Sequence, residues 1–446
     1  MKEPVMKKYF ALFALSSILT LAQAWAEAEP FAFGDFTWLN GNSRQTEFPL
    51  DSKMFTGQFS FDANYVYDFA RPKDHTLIGS TNSGRTGELQ VQQLGIGGDF
   101  HYQNVRGRVM TQFGMYSTMT PRNDASPARG QWDLSNAYRY LSEAYGGYHW
   151  DVWNGINLDA GLFMSYIGLE SYYNYENWNY QMSYVSANTP WFFNGLRLQI
   201  FPTDKFKAEV WLVNGWQSYG MFNEAPGLGF QLLWRPTSDW SLVSNNYYGH
   251  DVLGLPERMR LHSDNSVQYR YLDKPESLLS KGAFSITVDI GCESGGGVSC
   301  AGGDTSSPKQ NFLGVMAYNR FWFAKNRFGL TLGGGAITNP GRYLVLVPPV
   351  NGANAYSGAA PAFTALPGDP FVAWDSSATV DYMPSQFVTF RVEYIHRQSS
   401  IPYFAGAGGI TPPGGNTGAP GSGVAGFEPD LSKTENRINA ALLVRL

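Results

Sequence analysis

Charge is scarce in this 446-residue chain: 15% of its residues are Asp, Glu, Lys or Arg, against roughly 25% in ordinary soluble domains. No block of Lys and Arg stands out, and the formal net charge is −5. That balance excludes nucleic acid as a partner, because phosphate recognition needs a concentrated basic surface. Past the N-terminus no apolar run reaches the roughly 18 residues of a transmembrane helix. Mean hydropathy is only −0.26, too low for a helical membrane bundle. Cysteine is nearly absent, with Cys292 and Cys300 alone, so no disulfide scaffold organises the chain.

Aromatic residues and glycine are plentiful, with 15% Phe, Trp and Tyr and 49 Gly. So many aromatics at so small a net charge exclude disorder. The chain starts with Lys2, Lys7 and Lys8, continues through apolar residues 9–21 and reaches Ala24-Trp25-Ala26. Residues 1–26 therefore read as a secretory signal peptide, which sends the chain out of a bacterial cytoplasm. In an oxidising compartment Cys292 and Cys300, separated by a Gly/Ser loop, read as a local disulfide. Two free thiols are the alternative.

The dominant signal has period two. Phe55, Gly57, Phe59, Phe61, Ala63, Tyr65, Tyr67 and Phe69 alternate with Thr56, Gln58, Ser60, Asp62, Asn64 and Asp68, with Val66 as the one break. Such a strand has one wet and one apolar face. The pattern returns at Ile156–Tyr166, Phe206–Leu212, Phe284–Ile290, Val388–Tyr394 and Ile438–Leu446. Two segments are ambiguous: residues 311–324 are apolar on both faces, and residues 241–249 are weakly patterned. Many of the strands approach or exceed the length needed for a tilted strand to cross a bilayer.

Between them, short turns near 103–104, 151–155, 203–204, 237–239, 274–275, 325–326 and 384–385 alternate with long loops. The long loops are 71–87, 118–135, 170–189, 218–226, 251–262, 292–310, 340–370 and 399–432. Short turns on one side and long loops on the other are the mark of a transmembrane barrel with periplasmic turns and outer loops. The expected fold is all-β: an antiparallel transmembrane β-barrel of about 16 strands over residues 54–446. Trp150, Trp153, Trp191, Trp211, Trp216, Trp234 and Trp240 near strand ends suit interfacial girdles. Residues 27–53 precede the first clear strand. They read as a periplasmic segment or one inserted into the lumen, since a seventeenth strand would break the parity.

Several stretches resemble the bacterial putative beta-barrel porin-2 family. They include RGQWDLSNAYRYLSEAYGGYH (129–149), DAGLFMSYIGLESYYNYENWNYQMSYVSANTPWFFNGLR (159–197), VNGWQSYGMFNEAPGLGFQLLWRP (213–236), RMRLHSDNSVQYRY (258–271), VTFRVEYIHRQSSIPYFAG (388–406) and ENRINAALLVRL (435–446). The resemblance implies an outer-membrane barrel assigned as a porin, with no catalytic residues to carry over. The chain departs from the usual barrel ending, because Leu446 stands where such chains commonly end in Phe.

Chemistry-bearing motifs are few. The six histidines show no metal-ligand spacing, so no metal site is expected. His262-Ser263-Asp264 cannot make a triad, because neighbours on a strand point to opposite faces. Gly95-Ile96-Gly97-Gly98 has no helix behind it to serve as a phosphate loop. No cofactor and no enzymatic activity are expected.

Extending the alternation turns Arg106, Arg108, Arg139, Arg197, Lys207, Arg270, Arg391, Arg397, Arg437 and Arg445 towards the lumen. Asp62, Asp68, Glu143, Asp159, Glu209, Asp289 and Glu393 turn the same way. This lining reads either as paired charges stiffening the wall or as an Arg-rich stripe with a slight anion preference. The expected function is passive diffusion of small hydrophilic solutes through a porin-like barrel embedded in outer-membrane lipid, with loops 340–370 and 399–432 long enough to constrict it. The alternative is a loop-closed barrel acting as a surface receptor or adhesin. A barrel-embedded hydrolase is the weakest reading.

Overall fold

The computed structural model describes residues 29–446 except 122–123, 125–129, 222, 253, 303–305, 341–342, 344–370 and 416–425. The signal-peptide reading and almost all of loop 340–370 therefore lie outside the described residues. Sixteen antiparallel strands close into one barrel. They are β1 (Phe55–Asp68), β2 (Leu89–Tyr102), β3 (Val105–Thr111), β4 (Leu141–Trp150), β5 (Ile156–Met164), β6 (Phe192–Thr203), β7 (Phe206–Val213) and β8 (Gly227–Trp234). The circle continues with β9 (Trp240–Gly249), β10 (Met259–Asp273), β11 (Leu279–Ser294), β12 (Asn311–Phe323), β13 (Phe328–Thr338), β14 (Val372–Ser385), β15 (Val388–Ser399) and β16 (Thr434–Arg445). β16 closes against β1 in a register that sets Asp68 opposite Arg437 and Ser60 opposite Arg445.

Alternation decides which face is which. On β1, Ser60, Asp62, Asn64 and Asp68 are buried, while Tyr65 and Tyr67 are exposed on the opposite face. An exposed apolar face and an enclosed polar one are what a lipid-facing barrel wall requires. Short and long connections alternate around the circle as the loop lengths predict, so the short-turn end is periplasmic and the long-loop end extracellular. Trp153 and Trp234 are exposed near the short-turn end, as interfacial residues should be; Trp191 and Trp211, expected there too, are buried inside instead.

Residues 29–53 run across the short-turn end. The Trp38 indole donates to the Ser238 carbonyl at 3.0 Å, the Gln45 amide to the Arg445 carbonyl at 3.1 Å, and the Thr46 backbone N–H to the Gln386 amide oxygen at 2.6 Å. Gly41 shows why this segment needs a glycine. Its φ is +75°, and a Cβ there would lie 2.1 Å from the Leu169 carbonyl oxygen, so only Gly lets the two backbones meet.

The inward face of β12 resolves one ambiguity in the pattern. Phe312, Met316, Tyr318 and Trp322 belong to a core inside the barrel, together with Trp38, Trp178, Tyr184 and Val185. Residues 311–324 are apolar on both faces because one meets lipid and the other meets protein.

Candidate functional site

The element that shapes the lumen is the loop 165–191 between β5 and β6. It crosses to β14, eight strands from β6 in either direction around the circle. On that far wall Asp375 accepts from the Ser183 hydroxyl at 2.9 Å and the Tyr184 N–H at 2.8 Å. Glu393 of β15 accepts the backbone N–H groups of Tyr180 at 2.5 Å and Gln181 at 2.8 Å. Arg391 is bidentate to Asp381 and donates to the carbonyls of Asn177 at 2.7 Å and Asn179 at 2.6 Å. Arg320 donates to Asp381 at 2.7 Å and to the Trp178 carbonyl at 3.1 Å.

On β1, Asp62 accepts from Tyr180 Oη at 2.8 Å and from the Asn174 amide at 2.7 Å. A buried loop must have its backbone groups paired, and wall side chains supply the partners here.

The same wall holds the outer loops. Arg397 pairs with Glu435 at 2.6 Å and donates to the Gly79 and Ser80 carbonyls. Arg437 reaches the Gln181 side-chain oxygen at 2.7 Å, and Arg445 pairs with Glu176 at 2.7 Å. Tyr403 and Phe404, from the last long loop, are fully buried beside Tyr184. That loop reaches into the barrel interior, and so does the loop 165–191, which the sequence places among the long loops, over 170–189, without a constricting role. Burial pushes the Glu170 carboxyl in this loop up to about 8, against hydrogen bonds from Ser186, Asn179 and Ser183.

The opposite wall, β2 to β7, carries a strip of alternating charge. Arg108 lies between Asp99 at 2.6 Å and Glu143 at 2.9 Å. Arg106 and Arg197 share Asp159 at 3.2 and 2.8 Å, and Lys207 pairs with Glu209 at 2.7 Å. The Arg197 guanidinium also stacks between Phe163 and Tyr145, 4.6 and 4.9 Å from their ring centres. Side chains here meet water: Arg106 is 30% exposed, Lys207 16%, Arg197 13% and Arg108 12%. On the far wall Arg391 is 3% exposed, Arg397 1% and Arg437 0%.

One placement departs from expectation. Arg139 is not on a strand; it precedes β4, and its guanidinium donates to the Ser117 carbonyl and the Thr118 hydroxyl at 3.2 Å each. The strand alternation begins only at Leu141, two residues after Arg139. Arg270 faces inward at the periplasmic end, held by Asp239 at 2.7 Å and Asp273 at 3.1 Å.

Sequence reasoning missed Arg260 and Arg320. Arg260 could have been found two residues before His262 on the same face, where it pairs with Asp251 and Glu293 at 2.9 Å each. Arg320 was hidden by the double-sided apolar pattern of β12. His262 contacts Asp289 at 2.7 Å, while Ser263 lies on the lipid-facing side of β10, so the three neighbours do not converge. Cys292, at the outer end of β11, is disulfide-bonded to Cys300 in the loop that follows.

The comparisons bear on what such a barrel is. Residues 55–418 match the family described as "Putative beta-barrel porin-2, OmpL-like". No curated protein matches the chain. Among solved structures, the outer membrane channel DcaP of Acinetobacter baumannii is 12% identical with a TM-score of 0.48, over 88% of this chain and 96% of that one. Outer-membrane expressed OmpT of Vibrio cholerae is 8% identical with a TM-score of 0.49, over 89% and 99%. An anion-selective porin from Comamonas acidovorans is 8% identical with a TM-score of 0.47, over 88% and 99%. These likenesses are too remote to carry function. The family match spans most of the chain: this is a bacterial outer-membrane β-barrel that belongs to the putative beta-barrel porin-2 family.

Proposed function

We propose that the barrel is a diffusion channel for small hydrophilic solutes with a slight preference for anions, its passage running along the β2–β7 wall. The observation that carries this reading is the difference in wetness between the two walls. Of the luminal basic groups, Arg106, Arg108, Arg197 and Lys207 keep contact with water, whereas Arg391, Arg397 and Arg437 are sealed; on the sealed wall Arg445, near the periplasmic end, is 16% exposed.

Within the ion pairs of the wet strip the cation is generally the more exposed partner. Asp159 is fully buried beneath Arg106 and Arg197, and Glu209 lies beneath Lys207. Asp99, half exposed beside Arg108, offsets part of that bias, which keeps the preference slight. Charged rings and strips tune the ion choice of wide pores in this way.

Conductance of the full chain in a planar bilayer under a salt gradient tests the reading. Stable ion currents with a reversal potential displaced towards the anion side are expected. Clear cation selectivity would overturn the preference, and absence of conductance would overturn the channel. The second reading, a loop-closed surface receptor or adhesin, draws its support from the outer loops stitched together over β15 and β16. There Asp74 accepts from Ile410 and Thr411, and Ser80 bonds Tyr403 at 2.7 Å. The same recording decides between the two.

A further inference from the structure

The outward face of the wall is mostly apolar, and four polar side chains cluster in its middle on two neighbouring strands. On β9 and β10, Ser244 and Asn246 stand directly opposite Asn265 and Ser263 in the strand register. All four side chains occupy outward positions, because their neighbours Asn245, His262, Asp264 and Ser266 are the buried, inward ones. They form a hydrogen-bonded square: the Ser244 hydroxyl donates to Asn265 at 2.7 Å, Asn265 donates to Ser263 at 2.9 Å, and Asn246 donates to Ser244 at 3.2 Å. The square is also why residues 241–249 are weakly patterned in the sequence.

Depth makes this placement informative. Along β9, Ser244 lies halfway between Trp240 at the periplasmic end and Tyr248 at the outer end, so the square sits within the hydrocarbon band rather than at a headgroup boundary. Acyl chains offer it no hydrogen-bond partner, and polar groups facing them are costly. Two other outward polar side chains are covered by tyrosine: Tyr271 donates to Asn319 at 3.1 Å and Tyr394 to Asn436 at 2.8 Å. The square has no such cover. Its Asn246–Ser263 edge borders a groove of about 680 Å³ that Phe230, Leu261, Ile290 and Leu313 line and that runs outward to the Cys292–Cys300 loop.

We propose that this face, centred on the β9–β10 square, is where a second copy of the chain docks in the membrane, the same patch meeting itself across a two-fold axis. Serine hydroxyls and asparagine amides each donate and accept, so the patch is complementary to its own copy, as an isologous contact requires. The bulky residues around the groove supply the packing that drives association in lipid, where burial of apolar surface from water contributes nothing.

The test uses the full chain in outer-membrane fragments. Ser244→Cys brings a free thiol to the axis, and mild oxidation should link most of the protein into a dimer on a non-reducing gel. Leu196→Cys, outward on β6, should remain monomeric. Because the thiol variant leaves the square nearly isosteric, a folded barrel is expected, and the heat-dependent gel shift of folded barrels checks it. In mild detergent, the double variant Ser244→Leu, Asn265→Leu should halve the mass of the native particle while keeping that shift. A monomeric native particle with no link at Ser244 would overturn the proposal. So would a native particle whose extra mass is tightly held lipid released by the double variant.

Discussion

The two walls of this barrel use the same residue types for opposite ends. On β12 to β16 and β1, Arg320, Arg391, Arg397 and Arg437 are sealed from water and spend hydrogen bonds on loops inside the lumen, while Arg445, near the periplasmic end, stays 16% exposed. On β2 to β7, basic groups pair with carboxylates and keep their tips in water, while Asp159 and Glu209 lie buried beneath them. Inward charge therefore has no single meaning in such a barrel; what lies across from it decides. Where backbone crosses the lumen, buried guanidinium groups serve as its hydrogen-bond donors. Where the loop leaves room, the charges face water.

The sharpest way to break that contrast is to cut the dry wall. Arg391→Met leaves Asp381 paired with Arg320 but strips donors from the carbonyls of Asn177 and Asn179. Removing one member of a buried ionic network costs about 3–5 kcal/mol. Urea unfolding in lipid vesicles should show a loss of that size, and single-channel records should become larger and noisier as the loop loosens. An unchanged midpoint and an unchanged current would mean that the loop is held by something else.

A smaller effect should come with pH. The Glu170 carboxyl, raised to about 8 from an ordinary value of 4.5, holds its proton in the docked loop more firmly than in the unfolded chain. A carboxyl raised in this way favours the docked state fully below pH 4.5, and the advantage is lost as pH climbs to about 8. Protease sensitivity of the 165–191 loop should therefore rise between pH 5 and pH 8, values on the order of the two carboxyl pKa's. Glu170→Gln, which keeps the neutral form, should flatten the profile; a profile that persists in this variant would point to another group.

Much of this architecture was legible in the residues. The period of β1, with Phe and Tyr on odd positions and Asp and Asn on even ones, specifies a wet face and a lipid face without reference to any other protein. The order of short and long connections specifies closure and orientation. The route of the loop 165–191 was not legible, because its partners Asp62, Asp375, Arg391 and Glu393 come from distant strands and each looks like ordinary pore lining. One local signal was present. SYYNYENWNYQMSY (171–184) is rich in Tyr and Asn and poor in charge, which suits a buried hydrogen-bonded segment better than a solvated outer loop. The failures at Trp191 and Trp211 share that origin: aromatic residues near a strand end belong to the girdle only when they face outward.

Single-cysteine accessibility puts the difference between the walls to the most direct test. Arg106→Cys on the wet strip and Asn439→Cys, a buried position whose amide donates to Glu393 beneath the loop, would each be exposed to a charged, water-soluble thiol reagent while current is recorded. The native cysteines are already bonded to each other. The account predicts that the Arg106→Cys channel reacts within seconds to minutes and loses conductance, while the Asn439→Cys channel stays unmodified. Equal reactivity at both positions, or modification at Arg106→Cys with no change in current, would contradict a passage confined to the β2–β7 wall.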